Sequence, residues 1–176
     1  GSLAQVASQG SWVFTLDAVN LGTTAATARL SFADNSGNPL VLPLTFPQST
    51  CSMAVETASS IDRTLSPNAQ VILQSTGPLK SPALIGAGQL LANKPVSGFG
   101  IFSNPALKWN AVVPLETRNA SKYVLAFDNT GSLVTGVAIA NLSSSSAGVT
   151  AIIRDDTGAQ IGTGTISLSA QGHTSF

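Results

Sequence analysis

"SWVFTLDAVNLGTTAATARLSFADNSGNPL", residues 11–40, decides the fold. In its first part Trp12, Phe14, Leu16 and Ala18 fall on one side, and Val13, Thr15, Asp17 and Val19 on the other. "ATARLSF" (26–32) sets Ala28, Leu30 and Phe32 against Thr27, Arg29 and Ser31. A period of two is the pattern of a half-buried strand. "DNSGN" (34–38) then supplies Asp and Asn, which hydrogen-bond their own backbone, and Gly, which accepts positive φ. The block reads strand, polar connection, strand, turn.

The same block returns at an offset of 121. "SLVTGVAIANLSSSSAGVTAIIRDDTGAQI" (132–161) aligns with it without a gap. Val13/Val134, Asn20/Asn141, Leu21/Leu142, Ala26/Ala147, Asp34/Asp155 and Gly37/Gly158 are identical, and Leu16/Val137, Phe32/Ile153 and Leu40/Ile161 are conservative. Further on, "LSPNAQVIL" (65–73) falls on "LSAQGHTSF" (168–176) at an offset of 103. The first writing therefore carries extra residues around "FPQSTCSMAVETASSID". This is the pattern of a duplicated β unit that cannot bury its face alone. The first writing continues with two strands in "ALIGAGQLLANKPVSGFGIF" that have no counterpart before Phe176. The second is therefore expected to lack its closing strands, and an open edge exposes unpaired backbone groups. Those strands are shared within the chain, lie in a longer protein, or come from a neighbour by β-augmentation.

The alternation extends outward. "PLVLPLTF", "AQVILQS", "VSGFGIFS", "WNAVVPLE", "KYVLAF", "VTGVAIAN", "AGVTAIIR" and "QIGTGTISLS" read as further strands. "SPN" (66–68), "NKP" (93–95), "DNTG" (128–131) and "DDTG" (155–158) read as turns. About eleven or twelve strands at this spacing predict an all-β sandwich or a pair of them, and the repeat makes it two related units in tandem. The one helix-like stretch, "SPALIGAGQLLA", carries two glycines that argue against a helix. Thr117 to Lys122 ("TRNASK") is the best boundary, giving units at 1–117 and 118–176.

Charged residues are only 9% of the 176, and eight basic side chains balance eight acidic ones. A neutral chain has no electrostatic reason to bind nucleic acid, and weak charge removes a defence against self-association. No apolar run reaches the ~18 residues of a membrane span. Gly1-Ser2 reads as an expression scar or a processed start, and no basic stretch followed by an apolar run opens the chain. The lone Cys51 excludes an internal disulfide and reads as a small apolar residue in or near a strand.

At "AQVASQGSWVFTLDAVNLGTTAATARLSF", "DRTLSPNAQVIL", "PVSGFGIF", "VVPLETRNASKYVLAFDNTGSLVTGVAIANLS" and "IRDDTGAQIGTGTISLSAQGHTSF" the chain resembles secreted bacterial repeat modules, notably of acidobacterial type. The resemblance covers nearly the whole chain. It implies an immunoglobulin-like sandwich at the bacterial cell surface, beside similar modules, and no catalytic residue set. It also implies a chain running on past "GHTSF", and so a trimmed or partnered C-terminal edge.

Chemistry is sparse. His173 is the one histidine and reads as an exposed turn or strand-end residue. There is no G-x-S-x-G elbow, and neither a catalytic residue nor a cofactor or metal is expected. Asp34, Asp128, Asp155 and Asp156 sit in turns, where their backbone role explains them better than calcium binding does. Glu116 and Arg118 in "LETR" lie two apart and predict a structural ion pair, extended by Asp62 or Arg63. Trp109 with Asn110 is the candidate glycan contact, while Trp12 fits an apolar strand face. The expected function is a non-enzymatic extracellular structural or adhesive module. It would pair with itself or with neighbouring β-sandwich modules, in a tandem array or filament. Carbohydrate binding to a polysaccharide is the alternative.

Overall fold

The computed structural model describes residues 1–48, 55–75, 81–118 and 120–176. The chain is all-β. β1 is Ser2–Ser8, β2 Val13–Asn20, β3 Ala26–Asp34, β4 Leu42–Thr45, β5 Glu56–Ala58, β6 Ser60–Leu65 and β7 Gln70–Ser75. β8 is Leu84–Ala92, β9 Val96–Asn104, β10 Trp109–Pro114, β11 Ala138–Ala140, β12 Ala147–Arg154, β13 Gln160–Leu168 and β14 His173–Ser175. "SPALIGAGQLLA" is strand over Leu84–Ala92 and not helix. Cys51 lies outside the described residues.

Two sheets hold the first 116 residues. One has the order β1-β8-β3-β6, the other β10-β9-β2-β7-β4-β5, and all neighbours are antiparallel. The alternation decides which faces meet. Leu3, Val6, Leu30 and Phe32 from the first sheet join Phe14, Leu16, Leu73 and Phe102 from the second in one buried cluster. Phe14 and Phe102 stack across β2 and β9 at 5.6 Å. Burying an aliphatic or aromatic side chain contributes ~1.5–3 kcal/mol, so this cluster is the main source of stability. Two antiparallel sheets over one core are compatible with a β-sandwich. At one margin Arg63 lies 4.0 Å over the Phe46 ring and pairs with Glu56. The backbone bonds between Ser2 and Glu116 tie the start of β1 to the chain beyond β10.

Residues 120–176 carry two two-stranded sheets, β11-β14 and β12-β13. Their registers repeat the earlier ones at the two offsets. Ala26 faces Leu65 across β3 and β6, and Ala147 faces Leu168 across β12 and β13. Val19 faces Gln70 across β2 and β7, and Ala140 faces His173 across β11 and β14. The turns correspond as well. The Asp34 carboxylate accepts the N–H groups of Ser36 and Asn38, and that of Asp155 accepts those of Thr157 and Ala159. Gly37 and Gly158 follow with φ of 87° and 84°. Asn68 and Gln171 sit at φ of 56° and 55°.

Two predicted strands fail. "KYVLAF" forms none, and "VTGVAIAN" is strand only over Ala138–Ala140. The cause is missing partners. At the offset of 121 these stretches stand where β1 and β2 stand, and β1 and β2 are paired by β8 and β9. A strand exists by its ladder, so alternation without a neighbour leaves extended chain. β1, β5, β6 and β14 escaped the sequence reading. β1 runs "SLAQVAS", whose Val6, Ala7 and Ser8 are buried in succession after a register shift between Leu3 and Val6, so its alternation is broken.

Candidate functional site

The open site is the surface of 122–161. Val124 occupies the place of Leu3, Phe127 that of Val6 and Ile153 that of Phe32. Gly10 and Gly131, at the same spacing, both have positive φ. Leu3 and Val6 are fully buried and Phe32 is 3% exposed, whereas Val124 is 89%, Phe127 53% and Ile153 49% exposed. Val134, Leu125 and Ile152 are exposed as well. Sequence reasoning matched Ile153 to Phe32 but did not single out these residues as a surface. The signal was present for Val124, Phe127 and Ile153, whose counterparts Leu3, Val6 and Phe32 are core residues.

The edges are open too. β12 pairs with β13 on one side and β11 with β14 on one side; among the described residues neither has a second hydrogen-bonded neighbour, and β11 packs against β1. β3 and β2 each have two. Where Arg29 and Asp62 form a cross-strand ion pair at 2.9 Å, the corresponding pair is Thr150 and Thr165.

Residues 141–173 are nonetheless anchored. Asn141 Nδ2 donates to the Ser145 and Ser169 carbonyls at 2.7 and 2.8 Å, and its Oδ1 accepts the Ser143 N–H. Asn20 Nδ2 donates to the Thr24, Leu65 and Ser66 carbonyls, and its Oδ1 accepts the Gly22 N–H. His173 is a correction. It is buried, not exposed, because it forms the joint with the first part of the chain. Nδ1 lies 2.8 Å from Asn35 Oδ1 and Nε2 2.8 Å from Gln5 Oε1. Burial pushes its pKa below the ordinary histidine value. The neutral ring donates through one nitrogen, so one of the two amides turns its NH2 toward the other. Gly37 closes the joint: a Cβ there would lie 1.9 Å from the Ala170 carbonyl oxygen.

Trp109 stands at the start of β10 and is 59% exposed. Its ring lies 6.5 Å from that of Trp12, tilted by 48°, and Trp12 packs against the core. Asn110 beside it is exposed. The two tryptophans thus form a half-exposed pair.

Glu116 and Arg118 form a two-point ion pair, with Nε to Oε1 at 2.9 Å and a second contact at 2.5 Å. The Arg118 guanidinium holds the Glu116 carboxyl down at about 2. Asp62 and Arg63 take no part, being paired with Arg29 and Glu56. Thr130 and Thr157 hydroxyls donate to Asp128 and Asp155 and hold both carboxyls below their ordinary range. Each of these carboxylates is occupied by its own turn. Among the described residues no three His, Cys, Asp or Glu side chains gather to hold a metal. Between the sheets a carbon-lined cavity of about 30 Å³, bordered by Leu16, Leu30, Phe46 and Leu73, has room for one water molecule. No helix of the described residues is long and apolar enough to cross a membrane.

No family model, curated protein or solved structure matches the chain.

Proposed function

We propose that the chain is a non-enzymatic structural or adhesive module of the bacterial cell surface, assembling through open strand edges. In this reading it is an immunoglobulin-like β-sandwich unit followed by a related unit that lacks its closing strands. It works in a tandem array or filament beside similar modules. One observation carries it: Val124, Phe127 and Ile153 stand bare at positions whose counterparts are core. An apolar surface with unpaired strand edges is a site of association. Connections that pass from sheet to sheet at β2–β3, β6–β7 and β8–β9 support the immunoglobulin-like assignment. The repeated registers support the tandem one. The surface-module assignment rests on the quoted resemblance. Size-exclusion chromatography with light scattering tests assembly. Mass rising with concentration is expected, and a monomer at high concentration would remove the reading.

The exposed Trp109 beside Trp12 favours carbohydrate binding as a second reading, since a sugar ring stacks on a half-exposed aromatic pair. Retardation in polysaccharide gels, abolished by Trp109→Ala, would support it. Unretarded migration in every polysaccharide would exclude it.

A further inference from the structure

We propose that His173 is a proton-operated latch between residues 138–176 and the sheets of the first 116 residues, closed on the neutral ring and released when the ring takes up a proton. The latch is independent of the assembly reading, since it needs neither a partner nor an open edge.

The geometry concentrates the connection on one side chain. Among the described residues, every hydrogen bond between 138–176 and 1–116 is made by His173. Nδ1 meets Asn35 Oδ1 and Nε2 meets Gln5 Oε1, both at 2.8 Å, and the backbone N–H donates to the Asn35 carbonyl at 3.3 Å. No ladder crosses, because β11 pairs with β14 and β12 with β13. The remaining connection is packing, of β11 on β1 and of β14 on β1 and β8. The seam is tight around the ring. A Cβ on Gly37 would lie 1.9 Å from the Ala170 carbonyl oxygen, and one on Gly172 would lie 3.0 Å from that of Asn35. The His173 residue is 2% exposed, so water does not solvate the ring while the seam is closed.

No charge in the seam answers a proton. β1, β8, β11 and residues 168–172 carry no ionisable side chain, and β14 carries only His173. The turn at 34–38 carries Asp34, whose carboxylate accepts the Ser36 and Asn38 N–H groups and the Asn38 amide. The amino group of Gly1, beside β1, donates to the Leu90 carbonyl. An imidazolium can donate to both amide oxygens. Two amide dipoles replace the hydrogen bonds of water but not its bulk response to charge, so the closed seam favours the neutral ring. In the open seam the ring takes its proton near the ordinary value of about 6.5. Burial holds the closed-state value below the ordinary one. The open state therefore binds the proton more readily, and opening is favoured as pH falls below about 6.5. Slight desolvation raises the Asp34 carboxyl, but its bonds to Asn38 and Ser36 outweigh this and hold it below its ordinary range, so it stays ionised in this window. Release is local, because the core cluster contains no residue beyond Leu115.

Hydrogen exchange of the intact protein between pH 7.5 and 5, corrected for the intrinsic pH dependence of exchange, tests the latch. Protection in 2–8, 35–38 and 171–176 is expected to fall about threefold or more across that range, while β2, β3 and β9 keep theirs. An NMR titration of the His173 ring is expected to share the midpoint of that loss, below the ordinary histidine value. His173→Gln, which offers an amide and does not titrate, is expected to abolish the pH dependence. Unchanged protection, a ring that titrates at or above the ordinary value, or a loss spread equally over β2, β3 and β9 would overturn the proposal. So would a pH dependence that survives in His173→Gln. If glutamine fails to hold the seam and protection is low at every pH, the unsubstituted protein decides. Coinciding midpoints for ring titration and loss of protection support the latch, and separate midpoints overturn it.

Discussion

At the scale of single residues, buried polar side chains fix the connections between strands. Asn20 satisfies three carbonyls and one N–H at once. Replacing it with alanine strands those groups in a buried site, so Asn20→Ala is expected to cost about 2–4 kcal/mol. Asn141, with one fewer partner and more solvent nearby, should cost about 1–2 kcal/mol as Asn141→Ala. Urea midpoints measure both, and a loss under ~1 kcal/mol for Asn20→Ala would contradict its role. His173 makes a pH prediction. Its folded pKa lies below the unfolded value near 6.5, so the unfolded chain binds the proton more readily. Stability is full above pH 6.5 and declines as pH falls below it. His173→Gln, which removes the titration, should flatten that slope in denaturation measured between pH 7.5 and 5. The identity Asn20/Asn141 was legible in the sequence, whereas the burial of His173 was not. Its partners Asn35 and Gln5 are remote in sequence, and nothing local in "AQGHTSF" points to them.

At the scale of elements, alternation identified β2, β3, β7 and β9 because each has one face on the core and a ladder to hold it. The same alternation misled at "KYVLAF", because period two describes which way side chains point and says nothing about whether a neighbour exists. β1 was missed for the opposite reason: it has a neighbour but buries consecutive residues. The candidate site divides likewise. The Glu116–Arg118 pair follows from spacing alone, while the approach of Trp12 to Trp109 needs the fold. Glycines separate packed strands from unpartnered ones. Gly98→Ala, with its Cβ directed at the Asp17 carbonyl, should destabilise by more than ~2 kcal/mol. Gly164, in β13, has nothing within 4 Å of an added Cβ. Gly164→Ala should be neutral or stabilising by up to ~1 kcal/mol, because alanine loses less backbone entropy in a strand. Thermal unfolding of the two variants side by side checks the contrast.

At the scale of the whole molecule, the packed core and the exposed counterparts of its residues lie in different parts. The core cluster lies within the first 116 residues, and Val124, Phe127 and Ile153, the exposed counterparts of Leu3, Val6 and Phe32, lie beyond them. Val124→Ser and Phe127→Ser should therefore leave the unfolding midpoint of the monomer within ~0.5 kcal/mol. They should also reduce the concentration-dependent mass in light scattering. Loss of fold in these variants would mean that the exposed stretch supports the core after all. The division has a mechanical meaning. β1 runs along β8, is pinned to Glu116 and carries an amino terminus bonded to the Leu90 carbonyl, so tension on Gly1 meets many bonds loaded together in shear. Tension on Phe176 meets three residue pairs to β11, the backbone bonds to Val137 and the His173 joint. Pulled between residues 1 and 176, this stretch of chain gives way on the side of residue 176 first, because three residue pairs hold β14 where β1 is held along its length.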